Sequence, residues 1–318
     1  VAGKRSRETR SLAILGHSVR FSRAYLARRK HVQQARFGVA QGQFLATYEA
    51  LKETGGSAYT TPWWDAEAAK MASALLPVAP ANFLQDPTIR WEMIARGEGM
   101  LAAELPALEE AYGPDELLRV LEEDVVGGQE LNVAKYHTCI NSIHHAYHIH
   151  RFVESTGRKP SDFSTVLEWG GGYGNLAKIF LRWAQAPVTY IIVDIPFMAA
   201  IQWLYLSCVL GFDRVALVHS EDAPIEEGKV NILPVGLAES RAPEVELFVS
   251  TWALSESSAA AQQLVTGRKW FGASNLLLGY QDTNDLFAVA SEVGALAEAE
   301  GATIHPIDFI PGCHYAFL

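Results

Sequence analysis

The chain has few cysteines and no long apolar run. Its three cysteines are far apart and form no CxxC pair: Cys139, Cys208 and Cys313. This pattern argues against a disulfide framework or a cysteine-based zinc site and indicates a reducing compartment. The longest apolar candidate, residues 197–212, is interrupted by Gln202 and Ser207 and falls short of the roughly 18 residues that a membrane helix needs. We therefore expect a cytoplasmic protein without a membrane span.

Positive charge is scarce outside the N-terminus. The chain has 26 Lys and Arg against 36 Asp and Glu, a net charge of −10. Residues 1–37 hold ten of the basic residues and a single acid, Glu8, so the remainder is strongly acidic. Such a surface argues against nucleic acid as a partner. The hydrophobic fraction of 49% is ample for a packed core.

The pattern of apolar residues changes near residues 150–155. Before this point they recur at helical spacing, which predicts a mainly helical N-terminal region over residues 1–150. After it, short Val, Ile and Leu runs alternate with helical stretches, as in a mostly parallel sheet covered on both faces. We predict the α/β class, with a Rossmann-like domain over residues 151–318. The expected strands are Thr165–Trp169, Tyr190–Val193, Val215–Val218, Val230–Val235, Leu247–Ser250, Leu276–Gly279, Thr303–Phe309 and His314–Leu318.

A glycine-dense turn joins the first predicted strand to an amphipathic helix. The turn contains Gly170, Gly171, Gly172 and Gly174, and Asn175 follows. Glycine suits such a turn because the backbone can bend tightly and approach a ligand without a Cβ in the way. The helix N-terminus beyond it offers unpaired N–H groups. Asp194 stands 20 residues after Gly174, where an acid accepts hydrogen bonds from ribose hydroxyls in nucleoside-binding folds.

Two cofactors fit this loop. The spacing of Gly172, Gly174 and Ala177 satisfies the dinucleotide pattern GxGxxA, whereas Glu168 with Gly170 and the later glycines satisfies ExGxGxG. The second pattern is the first motif of class I methyltransferases that use S-adenosylmethionine (SAM). A carboxylate is poorly placed beside a pyrophosphate but suits the ammonium and sulfonium of SAM. We therefore favour SAM. An NAD(P)-dependent oxidoreductase and a non-catalytic binding protein of the same fold remain the alternatives.

Three segments resemble the bacterial sugar O-methyltransferases of glycan and natural-product clusters. They are VLEWGGGYGNLAKIF (166–180), YIIVDIPFMAAIQWLYLSCVL (190–210) and LFVSTWALSES (247–257), and NSIHHAYHIHRF (141–152) also resembles that family. The similarity spans roughly residues 130–285. One departure is Ser257, where the family leads us to expect methionine. The resemblance implies a SAM-dependent enzyme that methylates a hydroxyl of a sugar or glycosylated metabolite.

The resemblance also implies a layout for the domain. It would have seven strands, the last of them an antiparallel hairpin, with the cofactor at the strand ends. Its contacts would include Ile195 after the second strand and Thr251 after the fourth. Adenine would lie beyond the third strand, for which residues 215–218 and 230–235 are the candidates. We favour the second, which gives Pro234 and Val235 as contacts.

An acceptor hydroxyl must lose a proton, so a base is needed. Five of the ten histidines fall within residues 137–150. On a helix His144 and His148 share a face, and His145 points about 100° away. Any of these three could be the base, and Glu256 after the fourth strand is a further candidate. No third metal ligand is evident beside the histidines, so we predict no metal.

The N-terminal region offers weaker signals. Trp63 and Trp64 could stack on a sugar ring, but we favour an aromatic role at the start of a helix. The basic segment 20–36 is interpreted as a solvated helix face or an oligomer contact. We expect the N-terminal helices to cover the acceptor pocket or to form a homo-oligomer.

Overall fold

The structure is a computed structural model that describes residues 30–95, 97–282, 286–287, 290 and 292–318, apart from the side chain of Glu98. The first 29 residues, and with them part of the basic segment, lie outside this range. The N-terminal half is helical, as predicted. Its helices are α1 (residues 30–52), α2 (Pro62–Leu75), α3 (Pro87–Met93), α4 (Glu98–Ala111), α5 (Pro114–Leu121) and α6 (Ile140–Thr156).

Local sequence sets where several of these helices begin. Proline occupies the first turn of α2, α3 and α5, where its fixed φ suits a helix and its missing N–H costs nothing. The Thr61 side chain accepts a hydrogen bond from the Trp64 N–H at the start of α2. Asp86 caps α3 in the same way. Helix α6 ends at Gly157, which takes the left-handed conformation.

The C-terminal half contains one mixed sheet. Its strands are β1 (Thr165–Trp169), β2 (Thr189–Asp194), β3 (Val215–Leu217), β4 (Val230–Pro234), β5 (Leu247–Thr251), β6 (Asn275–Gln281), β7 (Thr303–Pro306) and β8 (Cys313–Phe317). Their order is β3-β4-β2-β1-β5-β6-β8-β7. Pairing is parallel from β3 to β6, and β8 is antiparallel to both its neighbours. The predicted Rossmann-like methyltransferase fold with a terminal antiparallel pair is confirmed.

The sheet differs from the expected seven strands by one addition. Within the described residues it has eight strands, because both candidates for the third strand form. β4 pairs with β2 over residues 230–234, so it takes the place of the third strand, as we favoured. Among the described strands β3 pairs with β4 alone, and it extends the sheet at its edge.

Helices cover both faces of the sheet. They are α7 (Asn175–Ala184), α8 (Pro196–Val209), α9 (Ala238–Arg241), α10 (Ala253–Glu256), α11 (Ala259–Gly267) and α12 (Glu292–Ala299). Two apolar clusters form the core, one on each face, and the N-terminal helices extend the first. Among the described residues no helix is both long and apolar enough to cross a membrane.

Helix α6 joins the N-terminal half to the sheet. It packs against α4 on one side and against α7, β6 and β8 on the other, and it runs through the boundary that the sequence predicts at residue 150. The parallel strands all end at the same edge of the sheet. In open α/β sheets this edge is where ligands bind.

Candidate active site

A cavity of about 200 Å³ opens at the carboxyl ends of β1, β2, β4 and β5. Eight of the residues that the sequence assigns to a cofactor line it: Glu168, Gly170, Gly171, Gly172, Asp194, Ile195, Val235 and Thr251. They come from four strands and the glycine turn. The fold therefore brings most of the predicted cofactor contacts together in one place.

Three other predicted contacts lie outside the lining of this cavity. Gly174 takes a positive φ of 93° at the start of α7, and a Cβ there would press on Leu206 of α8. Asn175 is fully buried behind the turn. Pro234 pairs with Asp194 in the sheet. The structure gives Gly174 a packing role that lets α7 and α8 approach each other.

The glycine turn forms an open cradle. Gly170 has a φ of 77°, and a Cβ at this position would overlap the side chain of Ala253. Gly172 has a φ of 55° and lines the cavity, with no heavy atom near the place that a Cβ would take. The conformation of both residues favours glycine. A ligand can thus approach the backbone at Gly172 directly.

Asp194 at the end of β2 connects the cradle to α8. Its Oδ2 accepts hydrogen bonds from the Gly171 N–H at 3.0 Å and from Gln202 Nε2 at 2.6 Å, and its Oδ1 accepts one from the Ile195 N–H at 2.8 Å. Burial raises the pKa of Asp194 to about 7, and these hydrogen bonds act in the opposite direction. A carboxylate has about four acceptor positions. One is left for a ligand hydroxyl.

Glu168 lies at the base of the same cavity. Its side chain is buried and accepts a hydrogen bond from the Tyr190 hydroxyl at 3.0 Å. Burial raises the pKa of Glu168 to about 8; the Tyr190 hydrogen bond lowers it, and the charge of Asp194 raises it further. A buried carboxyl of this kind favours a cationic ligand, because a positive charge stabilises the ionised form. The cradle and the two acids fit the sugar and ammonium groups of SAM.

A second cavity adjoins the first. The two share Glu92, Met93, His145 and Trp252, and the second is also lined by residues of α6, α4 and the segment after β7. Trp252 follows β5 with a φ of 74°, rare for a non-glycine residue and found mostly at functional sites. Its N–H donates to the Gly279 carbonyl at 2.6 Å. Trp252 lines both cavities and stands between them.

The structure distinguishes the three candidate histidines. His144 lines the second cavity, and its Nδ1 lies 2.5 Å from Oε1 of Glu104, a fully buried residue of α4. The His144 ring stacks on Trp252, with centroids 6.1 Å apart. His148 is completely buried, lines neither cavity and pairs through Nδ1 with the Tyr315 hydroxyl at 2.7 Å. Burial holds the pKa of His148 well below its usual range.

His145 lines both cavities, but its neighbours give it a different tautomer. Asn175 Nδ2 lies 2.9 Å from His145 Nδ1 and 3.1 Å from Ser142 Oγ, and Ser142 in turn donates to Glu123. In this network the Asn175 amide donates to both partners, so Nδ1 of His145 accepts and Nε2 carries the proton. His145 is thus a hydrogen-bond donor at Nε2. His144, with Nδ1 donating to a carboxylate, keeps a free acceptor at Nε2.

Glu256 also lines the first cavity. It accepts hydrogen bonds from the side chain of Trp64 and from Gln281 Nε2, the latter at 3.3 Å. Burial raises the pKa of Glu256 to about 7, and the nearby charge of Glu92 raises it further. Trp64 stands near the start of α2, as predicted, and also lines the cavity with Tyr59. The described residues contain no group of three His, Cys, Asp or Glu side chains that could hold a metal ion.

Sequence reasoning missed several residues of the site. Glu104 comes from a helix with no recognisable motif, and its partner His144 is 40 positions away. Tyr59 was not predicted, whereas Trp64 was named as able to stack on a sugar ring, and both line the cavity. Residues 54–56 lie against Gly236 after β4, where a Cβ would overlap the Thr54 carbonyl. Trp252 had a usable signal, since it directly follows a predicted strand at the ligand-binding edge.

Comparisons with known proteins gave structural matches alone. No family model and no curated protein matches the chain. An O-methyltransferase family protein from Burkholderia thailandensis is 13% identical, with 95% of this chain and 97% of that one covered and a TM-score of 0.35. Human N-acetylserotonin methyltransferase, in complex with SAM, is 14% identical, with 94% and 96% covered and a TM-score of 0.34. Magnesium protoporphyrin IX methyltransferase from Synechocystis, with bound S-adenosylhomocysteine (SAH), is 12% identical, with 69% and 98% covered and a TM-score of 0.38. Because identities and scores are low, the assignment of the chain to the α/β methyltransferase fold rests on its own strand order.

Proposed function

We propose that the protein is a SAM-dependent methyltransferase that methylates a hydroxyl group of a small molecule. The observation that carries this proposal is the placement of Glu168 and Asp194, two acids at neighbouring strand ends on either side of an open glycine cradle. When bound, SAM supplies a methyl group on a positively charged sulfur. Glu168 beside the cradle also disfavours a dinucleotide, whose pyrophosphate would meet a carboxylate.

Each cofactor-binding residue has a role in this account. Asp194 accepts a hydrogen bond from a ribose hydroxyl at its remaining acceptor position. Glu168 faces the cationic end of the ligand. Ile195 and Val235 provide apolar contacts at the ends of β2 and β4. Thr251 lies at the end of β5 and directly precedes Trp252, which lines both cavities.

His144 is the base that the geometry supports best. Its Nε2 can accept the proton of an acceptor hydroxyl in the second cavity, while Glu104 holds the ring in one tautomer and stabilises its charged form. The burial of Glu104 strengthens this pairing, because water does not compete for the carboxylate. His145 donates a hydrogen bond from the same wall and orients the acceptor. Glu256 lies on the cofactor side and remains the second candidate for the base.

The N-terminal region would cover the acceptor. Residues 92–95 and Met100 line the second cavity, and α4 supplies Glu104. These contacts support an acceptor pocket built by both halves of the chain. A sugar or glycosylated metabolite as the acceptor remains the prediction that the family resemblance gives.

Proton release on ligand binding is the first prediction. Since the pKa values of Glu168 and Asp194 are raised in the free protein, a ligand that places an ammonium group beside Glu168 and a ribose hydroxyl on Asp194 will lower them and drive protons into solution. Affinity for SAH should therefore rise with pH up to about pH 8 and then level off. Calorimetry at about pH 6.5, in buffers of different ionisation heat, measures the release. Glu168→Gln should reduce the number of protons released on SAH binding. A heat that is independent of the buffer would contradict this prediction.

Turnover tests the function itself. The protein is incubated with SAM and a panel of glycosides, amino sugars, phenols and aliphatic alcohols, and SAH formation is followed by mass spectrometry. We expect SAH to form only with an acceptor present, together with a product heavier by one methylene. An N-methylated product from an amino sugar would change the acceptor atom. Tight SAH binding without any product would favour the non-catalytic alternative.

A further inference from the structure

The acceptor cavity differs in character from the cofactor cavity. Resting on the proposed function, we propose that the acceptor carries its hydroxyl on a largely apolar body, such as a phenol or a ring with few oxygens. A free polyhydroxylated sugar does not match the cavity. Such an acceptor therefore departs from the free sugar that the family resemblance implies.

Apolar side chains form most of the cavity wall. Ile94 and Met100 come from the N-terminal region, Phe309 and Ile310 come from the loop between β7 and β8, and Trp252 follows β5. Phe309 packs edge-on against Tyr147 of α6, with centroids 5.7 Å apart, which holds this wall in place. Thioether, aliphatic and aromatic groups offer little hydrogen bonding to a ligand.

The polar residues of this cavity leave few groups for a ligand. Asn141 uses both ends of its amide, since Oδ1 accepts from the Ala95 N–H at 2.8 Å and Nδ2 donates to the Tyr173 hydroxyl at 3.0 Å. Among the residues that the structure describes, the other polar ones that line this cavity are Glu92, His144 and His145. Glu92 and His145 also line the cofactor cavity, and His144 stacks on the dividing Trp252. The polar groups are therefore gathered at the end where the methyl donor would lie.

The separation of a polar end from an apolar wall determines which acceptors the cavity can bind. A hydroxyl at the polar end can donate to His144 and accept from His145. Further hydroxyls on the body of the ligand would face Met100, Phe309 or Ile310, whose side chains offer them no strong hydrogen bond. A polar group that leaves water without gaining a partner costs free energy. An apolar body gains free energy in the same place. One reactive hydroxyl on an apolar ring fits both ends of the cavity.

The experiment measures binding of two probes, 2-naphthol and methyl β-D-glucopyranoside, to the full chain with and without saturating SAH. Saturation-transfer NMR detects the contact, and titration gives the affinities. We expect 2-naphthol to bind at least tenfold more tightly than the glucoside, a difference of about 1.4 kcal/mol. Equal affinities, or tighter binding of the glucoside, would overturn the proposal.

Variants at Met100 locate the binding. Met100→Leu keeps the wall apolar and should retain 2-naphthol binding, whereas Met100→Gln and Met100→Glu should weaken it about tenfold or more. SAH affinity should be the same in all three, which also shows that each variant is folded. Equal 2-naphthol affinity in all three would place the probe elsewhere and overturn the proposal. The titration without SAH keeps the two claims separate: absence of SAH binding contradicts the proposed function, while the probe preference still tests the cavity.

Discussion

Asp194→Ala is expected to weaken SAH binding by about tenfold to a hundredfold, the loss typical of a hydrogen bond to a charged group. The effect should be large because the carboxylate has two tasks. It accepts from the ligand, and through the Gly171 N–H and Gln202 it also holds the glycine turn against α8. Calorimetric titration measures the change.

Asp213→Ala is the matched control for this variant. Asp213 is an exposed aspartate that precedes β3, at the opposite edge of the sheet from the cavity. The Asp213→Ala substitution should leave SAH affinity unchanged. If Asp194→Ala also binds SAH like the unmodified protein, the assignment of the ribose site is wrong.

Replacing His144 with alanine is expected to lower kcat by about a hundredfold to a thousandfold, the usual contribution of a general base. Glu104→Gln should cause a large part of the same loss, because the amide no longer stabilises a protonated His144. Neither side chain lines the cofactor cavity, so SAH affinity and the KM for SAM should stay unchanged. Steady-state kinetics with an acceptor from the turnover panel separates the two parameters.

The other histidines provide the comparison for this prediction. His145→Gln should cause a smaller loss, since a donor at that place orients the acceptor. His148→Asn should act through folding stability, because the ring lies in the core beside Tyr315. Full activity of the His144 variant would move the role of base to Glu256. Double replacement of His144 and Glu104 should cost no more than His144→Ala alone, because the two act as one unit.

The sequence predicts those site residues that lie close together along the chain. The run from β1 through the glycine turn into α7 is contiguous, and each residue type there has a local physical reason. The role of Asp194 as a ligand contact follows from its spacing after the glycine turn. Five of the eight predicted residues that line the cavity are of this kind, whereas Ile195, Val235 and Thr251 came from the family resemblance. Gly174 shows the limit, because a glycine needed for packing against Leu206 looks the same in sequence as one needed for a ligand.

Contacts between residues that meet only through packing could not be predicted from the sequence. Glu104 and His144 come from different helices, and nothing in residues 1–125 resembles a known family, so their pairing carries no motif. The approach of residues 54–56 to Gly236 depends on the docking of the N-terminal region. Strand pairing is also non-local, which is why two short apolar runs competed for the third strand until the pairing of β4 with β2 decided between them.

The central claim is that the cavity at the ends of β1 and β2 binds SAM. The most direct test is calorimetric titration of the purified protein with SAH and, separately, with NADH. Our account predicts binding of SAH in the micromolar range, reduced by Asp194→Ala, and no binding of NADH. Binding of NADH without SAH would contradict it and return the glycine turn to its dinucleotide interpretation.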